Sequence, residues 1–397
     1  MTDGAVIFQG GGRLIRWSLG IGVVGLALVV LGAIFEFRQA AFSYLMAYIF
    51  WHTLAFGALI HLMIQHAING PWAVVVRRIA EGAAMTFPVL LLLFLPLIAG
   101  VHDLYPWTHI PTGLENQPGL ESRIYHRHAY LNYTFFYLRA AAYFIVWIVI
   151  AWLLERWTLE MARGAVPRRA TWQRNLSALA LPLMSFVITF AAIDWVMSLE
   201  PEWFSTIFGV YYFIGSALAF TALLILLSML LQKYGYLRGV VTTSHYHALG
   251  KLMLVFVIFW GYIAFVQLLI IWIADIPRES EWFILRSHGT WVIGAALLIF
   301  GHFGVSFFAL LSWRLKRTAW ALAAVSVWVI LMHFIDVYWL VMPELHRAGV
   351  HPHWLDLAAL FGEGGIVVAY GVWRFRGKPL APVGDPRYIP SLEFYTT

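Results

Sequence analysis

The chain has 397 residues, of which 61% are hydrophobic and 12% charged, with 20 Trp, 29 Phe, 18 Tyr and no Cys. A soluble chain of this length would carry about 25% charged residues, so the composition describes a multi-pass membrane protein with apolar sequence for about ten crossings of about 20 residues each. The missing thiols exclude cysteine-held iron–sulfur clusters, thiolate-ligated haem, covalent c-type haem, thiol–disulfide catalysis and cysteine lipidation, and the formal charge of +6 is read through its distribution over loops, not as a nucleic-acid signature.

Taken in chain order, the apolar runs predict an all-α fold of ten transmembrane helices over 17–35, 40–66, 82–101, 130–154, 176–198, 203–231, 249–274, 289–313, 319–342 and 355–373. The first run is longer than a signal-peptide core and no small-x-small cleavage site follows it, so it is read as a span. Residues 1–16 and 374–397 are expected as cytoplasmic tails of a ten-helix domain, 17–373. Ten crossings place both termini on one side, where 18 Lys and Arg collect against six on the other; the positive-inside rule makes that side the cytoplasm. On the opposite side, the loop at 102–129 carries Pro106, Trp107, Pro111 and Pro118, and the segments 199–203 and 275–288 are acidic and Trp-bearing. These features suit either an interfacial aromatic belt or the docking of an extramembrane partner.

Ionisable residues inside a crossing helix cost about 3 kcal/mol or more each, so each needs a partner, water or a function. Span two carries His52, His61 and His66, span four Arg139, span five Asp194, span eight His302, span nine His333 and Asp336, and span ten Asp356 and Glu363. At about 1.5 Å rise per residue, Arg139 lies about 13 Å and Asp194 about 6 Å below the same surface. A snorkelling arginine covers that difference between consecutive helices, which predicts an Arg139–Asp194 ion pair of structural or functional kind. His333 and Asp336 share a face at i,i+3 spacing and suit either a proton relay or a fixed interhelical hydrogen bond. Glu363 stands among Gly362, Gly364 and Gly365, small residues that turn it toward a neighbouring helix. Within span two, His66 beside Gln65 and Asn69 reads as interfacial, leaving His52 and His61 for the interior. The 14-residue spacings His52/His66 and His288/His302 raise a haem-b alternative; only His52 and His302 fall at comparable depth, so one bis-histidine haem between spans two and eight is the form left. There is no Walker A motif, dinucleotide fingerprint or H-E-x-x-H, and no metal site is expected.

Three segments, MIQHAINGPWAVVVRRIAEG (63–82), FAAIDWVMSLEPEWFSTIFGVYYFIGS (190–216) and GKLMLVFVIFWGYIAFVQLLIIWIADIPRESEWF (250–283), closely resemble ActF-type chains. These are NrfD-like integral membrane subunits of alternative complex III, a bacterial quinol:cytochrome c or electron-carrier oxidoreductase. The resemblance covers about residues 13–375. It implies two four-helix bundles, spans two to five and six to nine, with spans one and ten peripheral, in the bacterial cytoplasmic membrane. The implied partners are an NrfD-like ActC-type sister subunit, periplasmic multihaem cytochrome c and iron–sulfur subunits, small membrane subunits and lipid, with no nucleic acid. Haems and iron–sulfur clusters would sit in those partners alone, and a quinone, menaquinone or ubiquinone, would be the mobile substrate of a respiratory or photosynthetic chain. The chain itself is expected to be an accessory subunit without its own redox centre, contributing a proton-conducting path and a quinone-facing surface. The residues expected along that path are His52, His61, Asp194, His333, Asp336 and Glu363, of which only Asp194 lies in a matching motif. The alternatives are a purely structural scaffold and a single-haem b-type cytochrome.

Overall fold

The computed structural model describes residues 7–109, 127–164, 166 and 168–396; Pro111, Pro118, Arg123 and residues 1–6 lie outside the described residues. Ten helices among those described are long and apolar enough to cross a membrane: span one (Gly12–Phe35), span two (Phe37–Ile68), span three (Pro71–Ala99), span four (Tyr133–Arg163), span five (Arg168–Leu199), span six (Phe208–Lys233), span seven (Thr243–Ala274), span eight (Trp291–Leu311), span nine (Ala319–Glu344) and span ten (Trp354–Phe375). Each corresponds to one predicted run, and most extend beyond it, because their end turns are helical but polar. Span three shows this best: a 3-10 turn (Pro71–Val76) and a charged helix (Arg77–Ala84) precede its apolar part (Phe87–Ala99).

Chain reversals arise from local chemistry. Span two ends at Asn69 and span seven at Asp275, both left-handed (φ 58° and 46°), a conformation that short polar side chains tolerate at a helix end. Pro71 and Pro277 then start the next helices, where a missing N–H costs nothing. The second of these, Pro277–Ser287, is a short helix on the face opposite the termini.

Spans two, three, four and five pack pairwise into one ring, and spans six, seven, eight and nine into another. The rings meet where span six lies against spans two and five and span nine touches span two. Spans one and ten pair with each other, and span ten rests on span two. Their contact is backbone on backbone: a Cβ on Gly25 would lie 2.6 Å from the Cα of Gly362, and one on Gly365 would lie 2.5 Å from the nitrogen of Gly22. Without a hydrophobic drive between helices in lipid, such close approach supplies the attraction. Span two is therefore enclosed on nearly every side, with 89% of its most apolar stretch buried against 22% for span eight.

Span eight departs from regular α-helix. It is π-helical over Leu297–Val305, and the indole nitrogen of Trp328 on span nine donates to the Gly301 carbonyl at 2.9 Å. Beyond span ten, the segment expected as a tail folds back under the bundle. Phe8 and Gly377 to Lys378 exchange backbone hydrogen bonds at 3.1 and 2.8 Å, and Asp385 is buried, 2.6 Å from Arg77 Nη1.

Candidate functional site

Where the two rings meet, spans two, six and nine bring six polar side chains together in the interior. His52 Nδ1 is 3.0 Å from the Tyr212 hydroxyl, and the neighbouring Thr53 hydroxyl is 2.8 Å from His333 Nε2. Tyr211, adjacent to Tyr212 in sequence, donates its hydroxyl to Asp336 Oδ1. Two side chains from each of three helices thus interlock, all at most 4% exposed. Gly215 packs beside the imidazole, where a Cβ would meet His333 Cε1 at an ordinary contact distance of 3.6 Å. Two ring nitrogens in the group, His52 Nε2 and His333 Nδ1, have no hydrogen-bond partner, so each imidazole has one nitrogen engaged and one free, which is the arrangement a proton relay requires.

The expected residues are not all gathered here. His333 and Asp336 share a face of span nine, yet each takes its partner from a different helix, Thr53 and Tyr211 respectively. His61 lies deeper along span two beside Phe220 of span six, ring centroids 5.7 Å apart. Glu363 is fully buried with both oxygens unpartnered, on the other side of span two within electrostatic reach of Tyr44 and Tyr48. Asp356 caps span ten, accepting from the His353 N–H at 2.9 Å, and takes a 2.5 Å hydrogen bond from Ser43. His66, near the end of span two, is completely buried with neither nitrogen bonded, because the folded-back C-terminal segment covers the helix end that the apolar pattern leaves open.

Arg139 and Asp194 form the expected pair in a two-pronged geometry, Nε to Oδ2 and Nη2 to Oδ1, both 2.8 Å. Tyr143 donates to Oδ2 at 2.8 Å, and the guanidinium lies 3.8 Å from the Tyr130 ring centre. Trp195, next in sequence, turns into the ring and packs 5.0 Å from His52. The pair therefore fixes one wall of the cluster. The hydroxyls of Thr53, Tyr211 and Tyr212 are absent from the sequence-based set; the only signal for them is polar side chains within otherwise apolar helices.

A haem does not fit between His52 and His302. His52 is ringed by Trp147 at 4.7 Å, Trp195 at 5.0 Å, Phe87 at 6.0 Å and Phe56 at 6.3 Å, leaving no slot for a macrocycle. His302 instead lies 4.2 Å from Trp260, inside the other ring of helices.

At the face opposite the termini, the motif containing Asp194 continues into a second charged assembly. Trp203 stacks on Trp282 at 4.3 Å, and the Arg286 guanidinium covers Trp282 at 3.7 Å. Arg347 Nη2 bridges Glu200 at 3.0 Å and Glu344 at 3.4 Å. Burial, reinforced by Glu344, pushes the Glu200 carboxyl up to about 8 from 4.5. Since its folded value is raised, the stability it contributes is fully present below about pH 4.5 and is lost as pH rises through about 8. The melting temperature of the purified protein is expected to fall between about pH 4.5 and 8, with a flatter profile in Glu200→Gln; identical profiles would refute the assignment.

Against protein-family models the chain has no match, and no curated protein matches it.

Proposed function

We propose that the chain is an NrfD-like, proton-conducting membrane subunit of a quinol:electron-acceptor oxidoreductase of the alternative complex III type. The observation that carries this reading is the interlocked His52–Tyr212, Thr53–His333 and Tyr211–Asp336 cluster buried between the two rings. In a crossing helix such groups mark proton relays more often than scaffolding. The sequence resemblance supports the family, and the packing into two four-helix rings agrees with it. The 18-to-6 cation asymmetry supports cytoplasmic termini.

Asp336 can take up a proton beside the Tyr211 hydroxyl, and His52, with Nδ1 on the Tyr212 hydroxyl and Nε2 free, can accept a proton on one nitrogen while it releases one from the other. Thr53 links the same region to His333. His61 and His66 extend a limb along span two toward the termini face, while Glu363 on span ten lies beside the opposite part of span two, near Tyr44 and Tyr48. Asp194 acts by holding Arg139 and positioning Trp195 against His52. The members of the cluster are at most 4% exposed, which favours proton handling there over contact with a quinone headgroup. Any quinone contact belongs to the lipid-facing surface or to a partner such as an ActC-type subunit, with haems and iron–sulfur clusters in the remaining partners.

The test is proton flux into vesicles containing the full chain with its co-purifying subunits, followed with an entrapped pH dye. Asp336→Asn and His333→Gln are expected to lower flux by about tenfold or more, the scale of losing one relay group, while assembly is retained. Unchanged flux in both variants would leave a structural scaffold as the function.

A further inference from the structure

The cluster and the limb along span two leave His302 unused. His302 sits on span eight, fully buried, with both ring nitrogens lacking a hydrogen-bond partner. The Met332 backbone faces its ring without a bond of normal geometry. The π-helical stretch Leu297–Val305 widens the helical turn around His302, and such stretches are rare and concentrate at functional positions. The Trp328 indole holds the Gly301 carbonyl beside it at 2.9 Å, which fixes the distorted backbone in this register.

His302 also has neighbours on both sides. Its ring lies 4.2 Å from Trp260, and Trp260 in turn lies 5.7 Å from Tyr211, the partner of Asp336. His302 is within electrostatic reach of His333. About one turn further toward the termini face on the same helix stands Ser306, buried and with its hydroxyl unpartnered. Ser326 on span nine is likewise buried. Near the termini face, His247 on span seven is buried with Nδ1 free, with Lys316 close by.

We propose that His302 is the first relay of a second proton limb, running from the cluster inside the ring of spans six to nine toward the termini face, parallel to the limb along span two. At His302 the imidazole accepts a proton on one nitrogen and releases one from the other, so its net charge is restored after each passage. Ser306 and His247 receive the proton beyond it. The cluster is then a branch point, with one exit through each ring of helices.

This inference rests on the proton-conducting reading, and the experiment separates the two. In the vesicle assay with the full chain and its co-purifying subunits, Asp336→Asn blocks both limbs, His61→Gln blocks the span-two limb, and His302→Gln blocks the second. His302→Gln and His61→Gln are each expected to leave part of the flux, and the double variant to reduce it to the Asp336→Asn level. External imidazole is expected to restore flux to His302→Gly, which a merely structural role would not produce. Should His302→Gln fail to assemble, Ser306→Ala removes a hydroxyl that makes no bond and is expected to give the same partial loss. If Asp336→Asn lowers flux while Ser306→Ala, or an assembled His302→Gln, matches wild type alone and combined with His61→Gln, the second limb is refuted and the first survives. If Asp336→Asn itself has no effect, the proton-conducting reading falls with it.

Discussion

Asp194→Ala is expected to destabilise the protein by about 3–5 kcal/mol, the range for removing one partner of a buried ion pair. The guanidinium of Arg139 would keep its Tyr130 carbonyl contact at 2.8 Å but lose both carboxylate bonds, and Tyr143 would lose its acceptor. The charge left behind is the source of the cost, so Arg139→Leu combined with Asp194→Leu is expected to be milder than either single change. Asp194→Asn, which keeps the shape, should fall between. Reversible unfolding in mixed detergent, followed by loss of helical signal, measures all of these variants. A single-variant loss below about 1 kcal/mol, typical of an exposed pair, would show that the two residues do not bear on stability. Because Trp195 packs against His52, the same variants should also perturb proton flux, in proportion to the loss of order in that wall.

Asp385→Ala is expected to release the segment that closes the termini face. Burial would raise this carboxyl, but Arg387, through two side-chain bonds at 2.9 and 2.7 Å, and Arg77 at 2.6 Å hold it well below the usual carboxylate range. A depressed folded value means that the stabilisation is present above about pH 3.8 and is lost only as pH falls through the folded value; the segment stays fastened throughout the neutral range. Removing the carboxylate leaves Arg77, which is 1% exposed, with Glu81 at 3.4 Å as its counter-charge, and Glu81 is already shared with Arg78. Breaking a buried pair of this kind costs about 3–5 kcal/mol. Trypsin is expected to cut after Arg376 and Arg387 much faster in the variant, and the melting temperature to fall. Equal cleavage rates would mean that the remaining ties, among them Lys378–Glu155 at 2.7 Å and His245–Ser391 at 3.0 Å, suffice.

The helices were legible because each crossing needs a long apolar run, and the Arg139–Asp194 pair because depth along two consecutive antiparallel helices can be counted from the sequence. The cluster was legible only in part. His52, His333 and Asp336 stand out as ionisable residues in apolar helices, but their partners are hydroxyls on spans six and two, and which helix faces which is a property of the packing. Span two illustrates the limit: it is enclosed on nearly all sides, so no face of it is distinguished by pattern, and both His61 and His66 end up buried. His66 depended further on a segment more than 300 residues away in sequence, closing over it through Arg387 and Asn69 at 3.0 Å. The π-helical turn around His302 has no composition signal at all, since its residues are those of any apolar helix.

The glycine contact between spans one and ten has a consequence for how the protein is made. The two helices that touch backbone to backbone at Gly25 and Gly362 are the first and last of the ten to leave the ribosome. Until span ten has been inserted, span one has its small-residue groove facing lipid, with only its weaker contact to span two to hold it. The last of the ten crossing helices thus fastens the first, and it also delivers the segment that carries Asp385 to the face beneath the bundle. Insertion of span ten and closure of the fold become one event, so a nascent chain still short of that helix displays an open groove and an uncapped arginine pair as marks of its incompleteness.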